Sequence, residues 1–112
     1  MANEIPVEQI NTLQKYIIKK GKERGFSKET LYERLLILTE EVGELMKAVR
    51  KINNGYIDEA KSKDADLEGE ISDILTMLFW VADKLKVDVS KAFEKKENEN
   101  NKRVWKRANQ SK

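Results

Sequence analysis

The sequence predicts an all-α protomer of four helices, packed into a bundle that is completed by oligomerisation. Three observations lead there. The 112 residues include one Pro and five Gly, too few for a turn-rich β fold. Apolar residues recur with a period near 3.6 in long segments. The third of these segments is apolar nearly all round over residues 74–81, because Leu75 and Phe79 add a second arc to its main stripe. A helix of that kind is buried on every side, and with so few helices in one chain a partner subunit has to supply part of the cover.

The first helix is expected over residues 6–20. Pro6 suits a first helical position and Ile10, Leu13 and Ile17 share a face, after which Gly21 and Gly25 break the pattern. The second is expected to follow Ser27 as N-cap, with Glu29 in its first turn, and to end at Asn53-Asn54-Gly55. Residues 56–63 are mostly polar and read as a loop. The third helix starts near Asp64 or Asp66 and reaches about Lys86. Asp88 caps a fourth, which runs to at least Arg103, and residues 108–112 read as a frayed tail. No internal repeat and no second domain is visible, so residues 1–112 read as a single domain.

Composition restricts the chemistry. Cys and His are both absent. A disulfide framework, a zinc ribbon, a thiol nucleophile, an imidazole base and any His-ligated metal are thereby excluded. Catalysis would fall to carboxylates, amines, guanidinium groups, amides or hydroxyls. The most apolar stretch, residues 74–82, is far shorter than the roughly 20 residues of a membrane span. No targeting segment is visible, and a cytoplasmic protein is expected. Lys and Arg total 22 against 20 Asp and Glu. The balance is uneven: residues 1–90 carry a net −3 and residues 91–112 a net +5. The basic end is either a solvated helix tail or a nucleic-acid patch.

The candidate functional residues are acids beside apolar helix faces. At 100° per residue, Leu31, Leu35, Leu38, Val42, Leu45, Met46 and Val49 form the core stripe of the second helix. Glu41 lies on its shoulder and Glu44 farther round the same side, whereas Glu40 points toward solvent. On the third helix the stripe is Leu67, Ile71, Ile74, Leu78, Val81 and Leu85. Glu70 sits on its shoulder and Asp73 beyond, in line with Met77 and Trp80. Each helix thus carries an acidic pair at spacing i, i+3, on one face. Helices pack roughly 8–10 Å apart, so two such pairs can converge. Converging carboxylates repel unless a cation neutralises them, and oxygen ligands favour Mg²⁺ or Mn²⁺ over Zn²⁺. The competing reading is a solvated acidic helix surface.

The fourth helix begins an inward face with Val89 and Phe93 and continues it with Lys96, Asn100, Arg103 and Arg107. An apolar stripe turning into hydrogen-bond donors suits phosphate groups, or marks a helix that has left the core. Trp80 lies near the acidic face, where it either stacks on a base or packs in the core.

The strings E-E-V-G-E at 40–44 and E-I-S-D at 70–73 resemble the two acidic boxes of the MazG-like nucleoside triphosphate pyrophosphohydrolases. K-E-N-E-N-N-K-R at 96–103 is similar to the family's third element, K-x-x-x-N-x-x-R. The resemblance covers about residues 30–105. It implies an all-α enzyme with Glu41, Glu44, Glu70 and Asp73 as Mg²⁺ ligands. Glu40 or Glu41 would orient or deprotonate the attacking water, and Lys96, Asn100 and Arg103 would contact phosphates or sugar. It also implies a dimer or tetramer with the site near the subunit interface. The implied reaction converts a nucleoside triphosphate and water to the monophosphate and pyrophosphate. A 25-residue spacer, 45–69, separates the boxes, longer than in the most compact members. Two other readings stand beside this one: a phosphoribosyl-ATP pyrophosphohydrolase, and a non-enzymatic helical oligomer that binds nucleic acid through its basic C-terminal helix.

Overall fold

The computed structural model describes residues 5–53 and 66–105. The expected loop at 56–63, the start of the third helix at Asp64, the inward position of Arg107 and the tail at 108–112 lie outside them. The described residues form four α-helices and no strand: α1 Glu8–Glu23, α2 Leu31–Asn53, α3 Leu67–Lys84 and α4 Val89–Lys102. Helix α2 packs along α3, α1 lies against α3, and α4 lies against α1.

Local chemistry explains the boundaries. Helix α1 does not stop at Gly21 but continues to Glu23. It ends where Gly25 takes φ +86° and the Phe26 N–H donates back to the Gly21 carbonyl at 2.9 Å. The expected Ser27 cap is also displaced, to Thr30. The Glu33 N–H donates to Thr30 Oγ1 at 3.1 Å and the Thr30 N–H to Glu33 Oε1 at 3.0 Å, a reciprocal capping box. These bonds to Thr30, backbone first and hydroxyl second, hold the Glu33 carboxyl below its ordinary pKa. Asp66 caps α3 by accepting from the Gly69 N–H at 2.9 Å. Asp88 caps α4, accepting from Ser90 Oγ at 2.7 Å and the Lys91 N–H at 3.2 Å. The Ser90 bond, then the Lys91 bond, lower the Asp88 pKa.

The core is small and is not the one the stripes predict. Ile17, Phe79 and Trp80 form it, with Ile10, Met77 and Val89 packed against them. Most of the predicted stripe on α2 is open in the single chain, with Leu35, Val42, Met46 and Val49 all exposed. So are Ile71 and Leu78 on α3, Leu85 just after it, and Phe93 on α4. The reason is a rotation. The buried line of α2 is Arg34 and Ala48, with half-buried Glu41 between them, at seven-residue intervals. At 100° per residue, that line lies about 90° from the centre of the predicted stripe. Each of α2 and α3 therefore has two apolar sides. One is used within the chain and the more apolar one is left uncovered.

Gly21 fixes how α1 meets α3. A Cβ at this position would fall 1.1 Å from Trp80 Cζ2. The indole edge thus rests directly on the α1 backbone. Gly21→Ala is expected to cost about 1–3 kcal/mol of overpacking, against the 0.8–1.0 kcal/mol that Ala ordinarily gains over Gly in a helix. With an overlap this deep the penalty wins. A thermal melt should show a Tm lower by several degrees, whereas Gly43→Ala, which meets nothing within 4 Å among the described residues, should not lower it.

A second polar tie holds the α3–α4 turn. Gln14, 7% exposed on α1, donates from Nε2 to the Val87 carbonyl at 2.9 Å. Its Oε1 accepts from the Val89 N–H at 3.0 Å. One amide thereby satisfies both sides of the turn.

Candidate metal centre and active site

Because α2 and α3 run antiparallel, their acidic boxes meet. Glu41, Glu70 and Asp73 each place a carboxylate oxygen within 4.8 Å of the other two. Glu41 and Glu70 are half-buried and Asp73 is exposed, so the cluster has one wet side. Glu44, one turn on from Glu41, stands outside this trio but close enough for its charge to act on Glu41. Glu40 is exposed on the outer side of α2, as its helical angle predicts.

The electrostatics of the trio are unresolved within the protein. A hydrogen bond shared with the Glu70 carboxyl holds the Glu41 pKa above its ordinary value, followed by burial and by the charges of Asp73, Glu70 and Glu44. Among the described residues, no Lys or Arg forms an ion pair with any of the four acids. Glu70 Oε2 is buried without a hydrogen-bond partner. An orphaned, buried carboxylate oxygen beside two further carboxylates fits a hard divalent cation. Such an ion takes oxygen ligands and would offset the repulsion that now favours protonation of Glu41.

A cleft of about 260 Å³ lies next to the trio. Ile37 on α2 is one turn before Glu41, and Met77 on α3 is one turn after Asp73, and both line it. Its far wall comes from α1 and the residues after it, with Tyr16, Lys20, Arg24 and Phe26. The cleft therefore joins an apolar floor to a cationic rim, one helical turn from the acids.

Trp80 belongs to the core and also borders the cleft. It is 4% exposed, its edge is covered by Gly21, and the Arg34 guanidinium sits 4.3 Å from its ring centre. One face and one edge of the ring are thus taken up within the chain, while the ring also lines the cleft beside the acids. The donors of α4 are not brought to the acids within one chain. Lys96 is exposed and pairs with Glu99 at 3.8 Å. Asn100 Nδ2 donates to Glu97 Oε1 at 3.4 Å, and Arg103 lies over the Trp105 ring at 4.4 Å. Helix α4 packs on α1.

Arg34 was not singled out by its sequence context, and it is the most deeply buried large side chain, 1% exposed. Nη1 donates to the Trp80 carbonyl at 2.8 Å and Nη2 to the Phe26 carbonyl at 3.1 Å. Asp83 Oδ2 lies 3.7 Å from Nη1. The available signal was its place on one helix line with Glu41 and Ala48, which is a contact line only once the rotation of α2 is known.

The profile of the MazG nucleotide pyrophosphohydrolase domain matches residues 26–107. Neither a curated protein nor a solved structure gives a significant match. The matched span takes in both acidic boxes, the α2–α3 pair that brings them together, and the Lys96–Arg103 element. The all-α architecture is also that of the domain. The chain belongs to the MazG nucleotide pyrophosphohydrolase family, all-α hydrolases that act on phosphoanhydride bonds.

Proposed function

We propose that this chain hydrolyses ribo- or deoxyribonucleoside triphosphates to the monophosphate and pyrophosphate, with Mg²⁺, or Mn²⁺ in its place, at the acidic cluster. The observation that carries this reading is the meeting of Glu41, Glu70 and Asp73 within 4.8 Å, with no cationic side chain paired to them among the described residues. Glu44 is assigned as the fourth ligand, one turn from Glu41 on the same helix. When bound, the ion supplies positive charge against the phosphate oxygens and makes a nearby water more acidic.

The protein's own residues carry the rest. Glu41 is assigned to orient the water and accept its proton, because it is the half-buried carboxylate that α2 brings into the trio. Glu40, being exposed, acts at most through solvent on the outer side. Attack on the α-phosphorus breaks the α–β bridge, and pyrophosphate leaves with its negative charge. Lys96 and Arg103 are assigned to offset that charge, and Asn100 to bond a phosphate or sugar oxygen. The cleft beside the acids is assigned to the base. Its volume, just under the range of about 300–1,000 Å³ usual for whole-ligand pockets, suits one heterocycle rather than an entire nucleotide.

The uncovered apolar sides of α2 and α3 support a homodimer or homotetramer. No helix among the described residues is long and apolar enough to cross a membrane. We place the protein in the cytoplasm, with a role in clearing the nucleotide pool.

The test is a panel of nucleoside and deoxynucleoside triphosphates together with phosphoribosyl-ATP, assayed for pyrophosphate release in Mg²⁺. Release from one or more of the nucleoside triphosphates is expected. Release from phosphoribosyl-ATP alone would move the assignment to that substrate. Inactivity toward all of them, joined to salt-sensitive binding of nucleic acid, would replace the enzyme reading with the binding one.

A further inference from the structure

We propose that Arg34 is a positioning residue for the acidic cluster: it sets the register of α2 against α3, and with it the spacing of Glu41 to Glu70 and Asp73. The inference rests on the metal reading above and concerns a residue outside the cluster.

The geometry is symmetrical along the helix pair. Glu41 follows Arg34 by seven residues on α2, and Asp73 precedes Trp80 by seven on α3. The helices are antiparallel, so the Arg34–Trp80 contact and the Glu41–Asp73 contact lie on one line, about 10 Å apart. Arg34 engages α3 three times there: the Trp80 carbonyl at 2.8 Å, the Trp80 ring at 4.3 Å and Asp83 at 3.7 Å. Its other nitrogen ties the chain before α2 through the Phe26 carbonyl.

Apolar contacts alone specify register weakly on this pair, because Leu, Ile and Val recur at every turn of both helices. A slip of one turn moves a helix about 5.4 Å, more than the 4.8 Å within which the three acids lie. A planar fork aimed at one carbonyl has a single satisfactory register. Stability is a poor explanation for the residue. A charge that is 1% exposed loses its hydration, and its Nε has no hydrogen-bond partner. An apolar side chain of similar length ordinarily fills such a site at equal or lower cost.

The experiment is Mn²⁺ titration, followed by the electron paramagnetic resonance of the free ion, on wild type, Arg34→Met, Arg34→Lys and Val89→Ala, with a thermal melt of each. Met keeps the length without the fork, and Lys keeps the charge without it. Val89→Ala trims the core from its α4 side and leaves the bonds of Arg34 in place. The account expects Arg34→Met to remain folded and to bind Mn²⁺ about 10–100-fold more weakly, the loss usual when a group supporting metal ligands is removed. Arg34→Lys should fall in between. Val89→Ala should melt at a lower temperature yet bind within twofold of wild type. Wild-type affinity in Arg34→Met would overturn the inference, and if that variant does not fold, wild-type affinity in Arg34→Lys would do so. Failure of the wild type itself to bind Mn²⁺ would overturn the metal reading and this inference together.

Discussion

Glu41→Gln is expected to lower pyrophosphate release by at least about a thousandfold, roughly 4 kcal/mol of transition-state stabilisation, while leaving the helices intact. The substitution keeps the size and removes the charge at the centre of the trio. In the reading above it takes away a metal ligand and the group that accepts the water's proton. The same change should not weaken the metal-free fold. The Glu41 pKa is raised by Glu70, by burial and by the neighbouring charges, so its ionised form is a liability in the absence of a cation. In EDTA at alkaline pH the variant should therefore melt no lower than wild type. A dead but undamaged enzyme is the signature of a functional carboxylate. Near-normal turnover would show that the acids are only surface.

The second large effect is on stability, and its sign follows from the same group. The folded-state pKa of Glu41 is raised above its unfolded value. Its contribution to stability is therefore fully present below the unfolded pKa and is lost as pH rises through the folded one. Glu33 and Asp88, whose pKa values are lowered, gain their stabilisation in the acid range; above it, without divalent cations, the Tm should fall as pH climbs through the raised pKa of Glu41. Mg²⁺ or Mn²⁺ competes with protons for the same oxygens and binds the native state, so the rise in Tm that it gives should grow over that interval. Glu70→Gln should flatten both trends, because it removes the first cause of the Glu41 shift. Differential scanning calorimetry across pH, with EDTA and with Mn²⁺, reads all of these. A cation effect that shrinks as pH rises, or one that survives in Glu70→Gln, would contradict the account.

Much of this molecule was legible in its sequence. Four helices follow from periodicity and from few Gly and Pro, and the caps at Asp66 and Asp88 are local chemistry that needs no tertiary context. The meeting of Glu41 with Glu70 and Asp73 was legible for a similar reason, since two i, i+3 pairs on facing helices have few ways to miss each other. What failed was the choice between two apolar sides of one helix. The stripe through Leu35, Val42 and Met46 is the more apolar side, and a single sequence offers no sign that it stays uncovered within the chain. The side used within the chain mixes Ile37 and Ala48 with Arg34 and Glu41, and the charges obscure it as a contact side until the guanidinium is seen bonded to the Trp80 carbonyl. The sequence left Trp80 between base platform and core, because nothing local to it announces that Gly21, about sixty residues away, leaves space for its ring. The α1 boundary shows the reverse error. Gly21 resembles a helix stop by composition and is a packing contact by structure.

The central claim is that the acidic cluster directs cation-dependent cleavage between the α- and β-phosphorus. The most direct measurement is phosphorus NMR of the best triphosphate from the panel, incubated with the protein in Mg²⁺ and, separately, in excess EDTA. The account predicts that monophosphate and pyrophosphate grow in equal amounts with Mg²⁺ and that the triphosphate is unchanged with EDTA. Release of inorganic phosphate with a diphosphate left behind, or cleavage that continues at full rate in EDTA, would contradict it.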